Sequence, residues 1–329
     1  MATPIFGLGL ARNGTTWLEN ILCNHEDIVG AQHKAHWGIK ESYVCENIQH
    51  WDDFQDDDQF IRFLELYSSG DYFKLVEGEK DYFYQNRPEG FTEFFLELMD
   101  NYARKRGAAY WTTKLDPAFY RNPELLEMFM DRVKNRYNEI KFIGIQRDFR
   151  DVLNSAINMP GAEWRKRSLS REVFAIFNTV QNAHGYNKIN QIIDEHDGLK
   201  LQFEDLTDNR SIAVEKIVDY LDLDHSEEML EDHYLPNSSY IGKKEKVTLS
   251  GWEVKLIAKH LFSLLHKENI SNGIFMSLVD KLLDHLIPNN RLIHWRLTKL
   301  EKFPDKYKEN LEKKGSVGLK RALFGDEDG

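Results

Sequence analysis

Pro4-Ile5-Phe6-Gly7-Leu8-Gly9-Leu10-Ala11-Arg12-Asn13-Gly14-Thr15-Thr16-Trp17 is the stretch that decides the fold. Its apolar first half reads as a buried strand, Gly9 to Gly14 as a tight loop, and Thr15 onward as an amphipathic helix. Such a strand, loop and helix N-terminus bring backbone N–H groups and the positive end of a helix dipole onto one anion. Gly9, Gly14 and Thr16 stand at the spacing of the phosphate-loop pattern GxxxxGK[ST], but Thr15 fills the lysine slot. Nucleotide triphosphatases set that lysine on the β- and γ-phosphates. Its absence argues against ATP or GTP hydrolysis and leaves a loop for another phosphate-bearing ligand. The same residues also suit an ordinary glycine turn between a buried strand and a helix.

A second segment bears on that choice. Lys141-Phe142-Ile143-Gly144-Ile145-Gln146 reads as a buried strand, followed by Arg147-Asp148-Phe149-Arg150-Asp151-Val152-Leu153-Asn154-Ser155-Ala156. Arg147 falls at the carboxyl end of the strand, where open α/β sheets bind ligands. Ser155 falls about two turns into the next helix. A guanidinium fork and a hydroxyl suit a terminal phosphate, because two parallel N–H donors match two oxygens. A solvated arginine capping a strand has the same local sequence.

Together the two segments resemble the superfamily of sulfotransferases that use 3′-phosphoadenosine 5′-phosphosulfate (PAPS), and more closely its carbohydrate and bacterial-type branch. Its first signature, a strand, Arg-Ser-Gly-Thr-Thr and a helix, stands here as Arg12-Asn13-Gly14-Thr15-Thr16. Its second, a strand, Arg and a Ser eight residues on, stands as Arg147 and Ser155. Lys200-Leu201-Gln202-Phe203-Glu204-Asp205-Leu206 is similar to a later strand ending in Tyr-Glu-Asp-Leu. Gly78-Glu79-Lys80-Asp81-Tyr82-Phe83 is similar to a Glu-Lys segment of the carbohydrate branch, and Trp111-Thr112-Thr113-Lys114 to a Lys-Thr-Pro strand end.

The resemblance implies an α/β fold with a central, mainly parallel sheet flanked by helices, of the P-loop NTPase-like sulfotransferase type. It implies PAPS as donor, its bisphosphate PAP as product, and no metal. By residue, it sets the 5′-phosphosulfate on the N–H groups and hydroxyls of Asn13, Gly14, Thr15 and Thr16, with Trp17 beside them. Arg12 is the loop cation and a candidate catalytic residue. Arg147 and Ser155 take the 3′-phosphate, and a late polar loop with Tyr240 and Lys243 covers the nucleotide. The acceptor's proton needs a base. His36, in His33-Lys34-Ala35-His36-Trp37, is the first candidate, because imidazole transfers protons near neutral pH and Ala35 stands where the branch has a glutamate. Glu79 is the second. Lys34 and Lys114 are candidate contacts for the sulfate or an anionic acceptor. The acceptor class is a hydroxyl, or an amine, of a carbohydrate, lipid or small metabolite. Two other readings stand beside this one: an atypical P-loop kinase, and a non-catalytic nucleotide-binding protein on the same fold.

Composition limits the field further. A net charge of −11 disfavours a general nucleic-acid binder, whose phosphate contacts need a basic face. Two cysteines, Cys23 and Cys45, make neither a disulfide framework nor a metal cluster, and no HExxH or EF-hand loop occurs. No apolar run reaches the length of a membrane span, and no leader is evident, so a cytoplasmic enzyme is the expectation. A homo-oligomer is compatible with all of this. Residues 1–288 read as the sulfotransferase domain and 289–329 as a basic helical C-terminal extension.

Periodicity adds helices over 15–24, 91–106, from Pro123, over 171–195 and over 210–221, and strands over 108–115 and 198–203. Helices are also expected over 250–267 and 273–286. Residues 33–50 read as a loop with short helical turns. The acidic run Asp52–Asp58 reads as a solvated face or a helix start. Segments 37–90 and 157–170 are the expected borders of the acceptor pocket, with Trp37, Tyr43, Trp51, Tyr82, Phe83, Tyr84 and Trp164 as stacking candidates or core.

Overall fold

The computed structural model describes residues 1–31, 42–158 and 168–231. His36, Trp164, Tyr240, Lys243, the two helices expected after residue 249 and the extension 289–329 lie outside the described residues.

Five strands form one sheet in the order β2-β3-β1-β4-β5: β1 Thr3–Leu8, β2 Ile28–Gly30, β3 Tyr110–Lys114, β4 Lys141–Gln146 and β5 Leu199–Gln202. Every pairing is parallel. A parallel sheet needs crossovers that cover both faces, so its inner strands are apolar on both sides. β1 obeys this: from Pro4 to Leu8 every residue is buried. The chain leaves β1 toward the β3 side and leaves β4 toward the β5 side. The crevice between β1 and β4 is therefore the topological switch point, where sheets of this kind hold ligands at their carboxyl ends.

Alternation of side chains divides the core in two. Phe6 and Phe142 point to one face, and Ile5, Ile143 and Ile145 to the other. The first face is covered by α2 Val44–Trp51, α3 Asp57–Ser69, the short α4 Asp71–Leu75 and α5 Lys80–Gln85, α6 Phe91–Arg106, α7 Pro123–Arg136 and the long α9 Ser168–Glu195. Phe6 meets Trp111 and Phe129 edge-on, with ring centres 5.6 and 5.7 Å apart. Each such side chain, fully buried, contributes about 1.5–3 kcal/mol. The second face is covered by α1 Thr15–Leu22 and α11 Arg210–Leu221. Two further helices, α8 Phe149–Ile157 and α10 Phe203–Asp208, follow β4 and β5 directly.

Local signals account for several boundaries. Asn122 and Pro123 open α7. α6 ends on Arg104, Lys105 and Arg106, and Gly107 in the left-handed region stops it. The acidic run is a helix start, since Asp56 caps α3 by accepting from the Gln59 N–H at 2.7 Å. β2 was not expected, because three residues are too few to carry a period. Trp51 and Phe83 are buried core, while Tyr84 is exposed. Among the described residues no helix is long and apolar enough to cross a membrane.

Candidate functional site

β1 delivers the chain into the loop Gly9–Gly14, and α1 begins at Thr15. Two glycines are required here. A Cβ on Gly9 would lie closer than 3.0 Å to the Thr15 side chain. Gly14 has φ +98°, and a Cβ there would come within 3.0 Å of the Phe203 ring. Arg12 is also left-handed, at φ +73°. Among the described residues no side chain caps α1, and its first turn carries no acidic residue, so the positive end of the helix faces the loop without a counter-charge from its own first turn.

Asn13, fully buried, anchors the loop: its Oδ1 accepts from the Tyr186 hydroxyl at 2.8 Å. That hydroxyl in turn accepts from the Arg147 N–H at 3.4 Å. Burial pushes the Tyr186 phenol up to about 12, so it keeps its proton and remains a donor. One side chain of α9 thus ties the first loop to the second.

The second loop follows β4. Asp148 caps α8 by accepting from the Arg150 N–H at 2.8 Å, and its own N–H donates to Glu204 Oε1 at 3.1 Å. Its carboxyl is held below the usual range, chiefly by the Arg150 side chain. The Arg147 guanidinium stands 4.2 Å from the centre of the Phe203 ring, and its Nη1 donates to the Arg12 carbonyl at 3.4 Å. Arg147 Nε is buried without a hydrogen-bond partner among the described residues, as is Asn13 Nδ2. Ser155, two turns into α8, accepts from Arg12 Nε at 2.9 Å.

Arg12, Asn13, Gly14, Thr15, Thr16, Arg147 and Ser155 are therefore gathered at the β1/β4 crevice. Trp17 is buried behind them, edge-on to Phe203 at 5.5 Å and 5.0 Å from the Arg210 guanidinium. Lys114 joins them from the neighbouring strand. It ends β3, pairs in register with Gly7, is 7 % exposed, and sets its Nζ 3.4 Å from Thr16 Oγ1.

Glu79 is not brought to this group. Its carboxylate pairs with Lys105 at 2.7 Å, in the last turn of α6. That turn leads into the start of β3, the opposite end of the sheet from the loops. His36 lies in 32–41, outside the described residues, as do Tyr240 and Lys243. The described flanks of 32–41 are informative. Ala31 follows β2 at the carboxyl edge, and Ser42 accepts from Thr113 at 3.4 Å, beside Lys114.

Sequence reasoning missed Tyr186 and Tyr120, whose hydroxyl accepts from the Gly9 N–H at 3.3 Å. It named Phe203 only as the aromatic end of a strand. Among the described residues no three His, Cys, Asp or Glu side chains gather as a metal-ligand set.

A family model described as "Sulfotransferase family" matches residues 4–227. Two solved structures are similar at low identity. The "Sulfotransferase Domain from the Curacin Biosynthetic Pathway" has a TM-score of 0.45 and 16 % identity, over 87 % of this chain and 98 % of that one. The "Sulfotransferase Domain from the Synechococcus PCC 7002 Olefin Synthase" has a TM-score of 0.46 and 14 % identity, over 83 % and 96 %. No curated protein matches the chain.

Proposed function

This chain belongs to the sulfotransferase family, and from that premise we propose that it moves a sulfuryl group from PAPS to a hydroxyl, or an amine, of a carbohydrate, lipid or small metabolite. The observation that carries the donor assignment is the meeting of the two loops: Arg12 Nε on Ser155 at 2.9 Å, and Arg147 Nη1 on the Arg12 carbonyl at 3.4 Å. One ligand with a phosphosulfate at one end and a phosphate at the other spans such a pair of loops. Arg147 Nε, buried and without a hydrogen-bond partner among the described residues, fits the 3′-phosphate, because a buried donor left unpaired is costly and a phosphate oxygen would satisfy it.

In this reading the N–H groups of residues 13–16 and the hydroxyls of Thr15 and Thr16 hold the 5′-phosphosulfate. Arg147 and Ser155 hold the 3′-phosphate. Lys114, reaching Thr16 from β3, is the cation beside the transferring group, in place of the lysine absent at Thr15. The acceptor oxygen forms a bond to sulfur as the bond from sulfur to the 5′-phosphate oxygen breaks. The electron pair leaves with PAP, and the acceptor's proton goes to a base. Positioning and charge stabilisation supply the catalysis, as in phosphoryl transfer. His36 is the proposed base, since both described flanks of its segment reach the carboxyl edge of the sheet.

Thermal shift tests the donor assignment. PAP should raise the unfolding midpoint, and ATP with magnesium should raise it less. Equal shifts would favour a kinase-like nucleotide site. Arg147→Ala should weaken PAP by about 1.5–3 kcal/mol, the worth of a charge-assisted fork on phosphate. Transfer from radiolabelled PAPS to an acceptor panel tests the activity. PAP binding without transfer to any acceptor would favour a non-catalytic binder.

A further inference from the structure

Arg210 is the first residue of α11, where a cation opposes the dipole of its own helix, and the first turn holds no acidic residue to offset it. Its side chain reaches two other elements. Nη1 donates to the Leu230 carbonyl at 2.9 Å, and the guanidinium carbon stands 5.0 Å from the centre of the Trp17 ring. Leu230 ends the 3-10 turn Glu227–Leu230, in which Met229 is fully buried and the Glu228 carbonyl accepts from Asn24 Nδ2 at 3.1 Å. That turn is a fixed point. A rigid planar guanidinium held on it has little choice of where its flat face lies.

Trp17 passes the constraint on. It meets Phe203 edge-on with ring centres 5.5 Å apart, and Phe203 carries the Arg147 guanidinium 4.2 Å from its own centre. Two rings in contact thus hold one guanidinium each. From this geometry we infer that Arg210 is a positioning residue for the donor site: it fixes the Trp17 indole from behind, and the indole sets the Phe203 ring under Arg147. Arg210 needs no contact with the ligand to do this. The part Arg147 plays toward the nucleotide is that of the PAPS reading above, on which the inference rests. Indole makes the strongest of the cation–ring contacts, and an edge-on pair of rings has a preferred angle. Without the cation the indole is free to tilt, and Phe203 tilts with it.

Arg210→Gln removes the cation and keeps an N–H donor for the Leu230 carbonyl, and thermal unfolding verifies that the variant folds. Titration calorimetry should show PAP weakened roughly 3- to 10-fold. Arg210→Lys, which keeps a charge for the indole, should recover part of the loss. In a Phe203→Leu background, Arg210→Gln should change PAP affinity little, because the ring that relays its effect is gone. Tyr110→Phe is the control. It deletes the 2.6 Å bond from the Tyr110 hydroxyl to the Leu221 carbonyl, between the start of β3 and the last residue of α11. It should lower the unfolding midpoint and spare PAP. Wild-type PAP affinity in Arg210→Gln would overturn the inference. An equal loss in Tyr110→Phe would overturn it too, since any loosening of α11 would then have the same effect. So would full additivity with Phe203→Leu, the mark of a charge acting on the nucleotide at long range. A wild-type chain that does not bind PAP would overturn the PAPS reading itself, and this inference with it.

Discussion

The guanidinium carbon of Arg147 stands 4.2 Å from the centre of the Phe203 ring, and the same ring fills the space that a side chain on Gly14 would need. Phe203 is therefore the floor shared by two loops that are more than a hundred residues apart in the chain. Removing the ring should loosen Arg147 before it loosens the fold, because Phe203 is half-buried at the edge of its core. Phe203→Leu should weaken PAP by about 0.5–1 kcal/mol, the worth of a partly exposed cation–ring contact. Phe203→Tyr should bind PAP as wild type does. Calorimetry on both variants decides it. Equal loss in the two would point to the ring edge and not its face.

Gly14→Ala should be damaging out of proportion to one methyl group. The residue sits at φ +98°, and the added carbon would collide with the Phe203 ring. Strain of this kind costs about 1–3 kcal/mol, and relieving it would move either the loop or Phe203. A lowered unfolding midpoint together with weakened PAP binding is the expected outcome. A variant as stable as wild type would show that the loop tolerates a different conformation.

How far the sequence carried this site depends on the range of the forces involved. β1, its loop and α1 were legible because strand burial, glycine turns and helix starts are local properties. Arg147 and Ser155 were legible for the same reason, as a strand end and a position two turns into a helix. Tyr186 was not. It touches Asn13 across 173 residues, and a tyrosine on a long helix carries no mark that it will clamp a loop. Glu79 failed the opposite way: its segment has the expected residues, but α6 supplies Lys105 as its partner at the far end of the sheet. Lys114 lay between these cases. Its strand was evident, whereas its contact with Thr16 depends on β3 lying beside β1 in the register Gly7 to Lys114.

Acid sensitivity should trace in part to α9. Burial lowers the His184 imidazole below its ordinary range, and its Nε2 is buried without a hydrogen-bond partner among the described residues. The folded value lies below the unfolded one of about 6.5. Between the two, the unfolded chain binds more protons, so stability rises with pH. The contribution is complete above about pH 6.5 and is lost as pH falls through the folded value. His184→Gln should flatten the decline of the unfolding midpoint on the acid side of neutrality. His196, also lowered mainly by burial, should retain the remainder of the slope. An unchanged slope in the glutamine variant would assign the acid sensitivity to other groups.

Lys114 separates binding from turnover. Its ammonium group is nearly buried, close to the Thr16 hydroxyl at the start of α1, where the sulfuryl group of the donor would lie in the proposed reading. A preorganised cation in a water-poor site acts most strongly where charge develops in the transition state, and losing such a donor costs roughly 10²–10³ in turnover. PAP lacks the sulfuryl group, so its affinity should not depend on this lysine. Lys114→Met, which keeps the length of the side chain and removes its charge, should therefore lower kcat and leave the PAP dissociation constant as it was. Steady-state turnover with PAPS and calorimetry with PAP give the two numbers independently. A parallel loss in both would place the lysine on the departing nucleotide. Full turnover in the methionine variant would mean that the loop neutralises the sulfuryl group with its backbone N–H groups and hydroxyls alone.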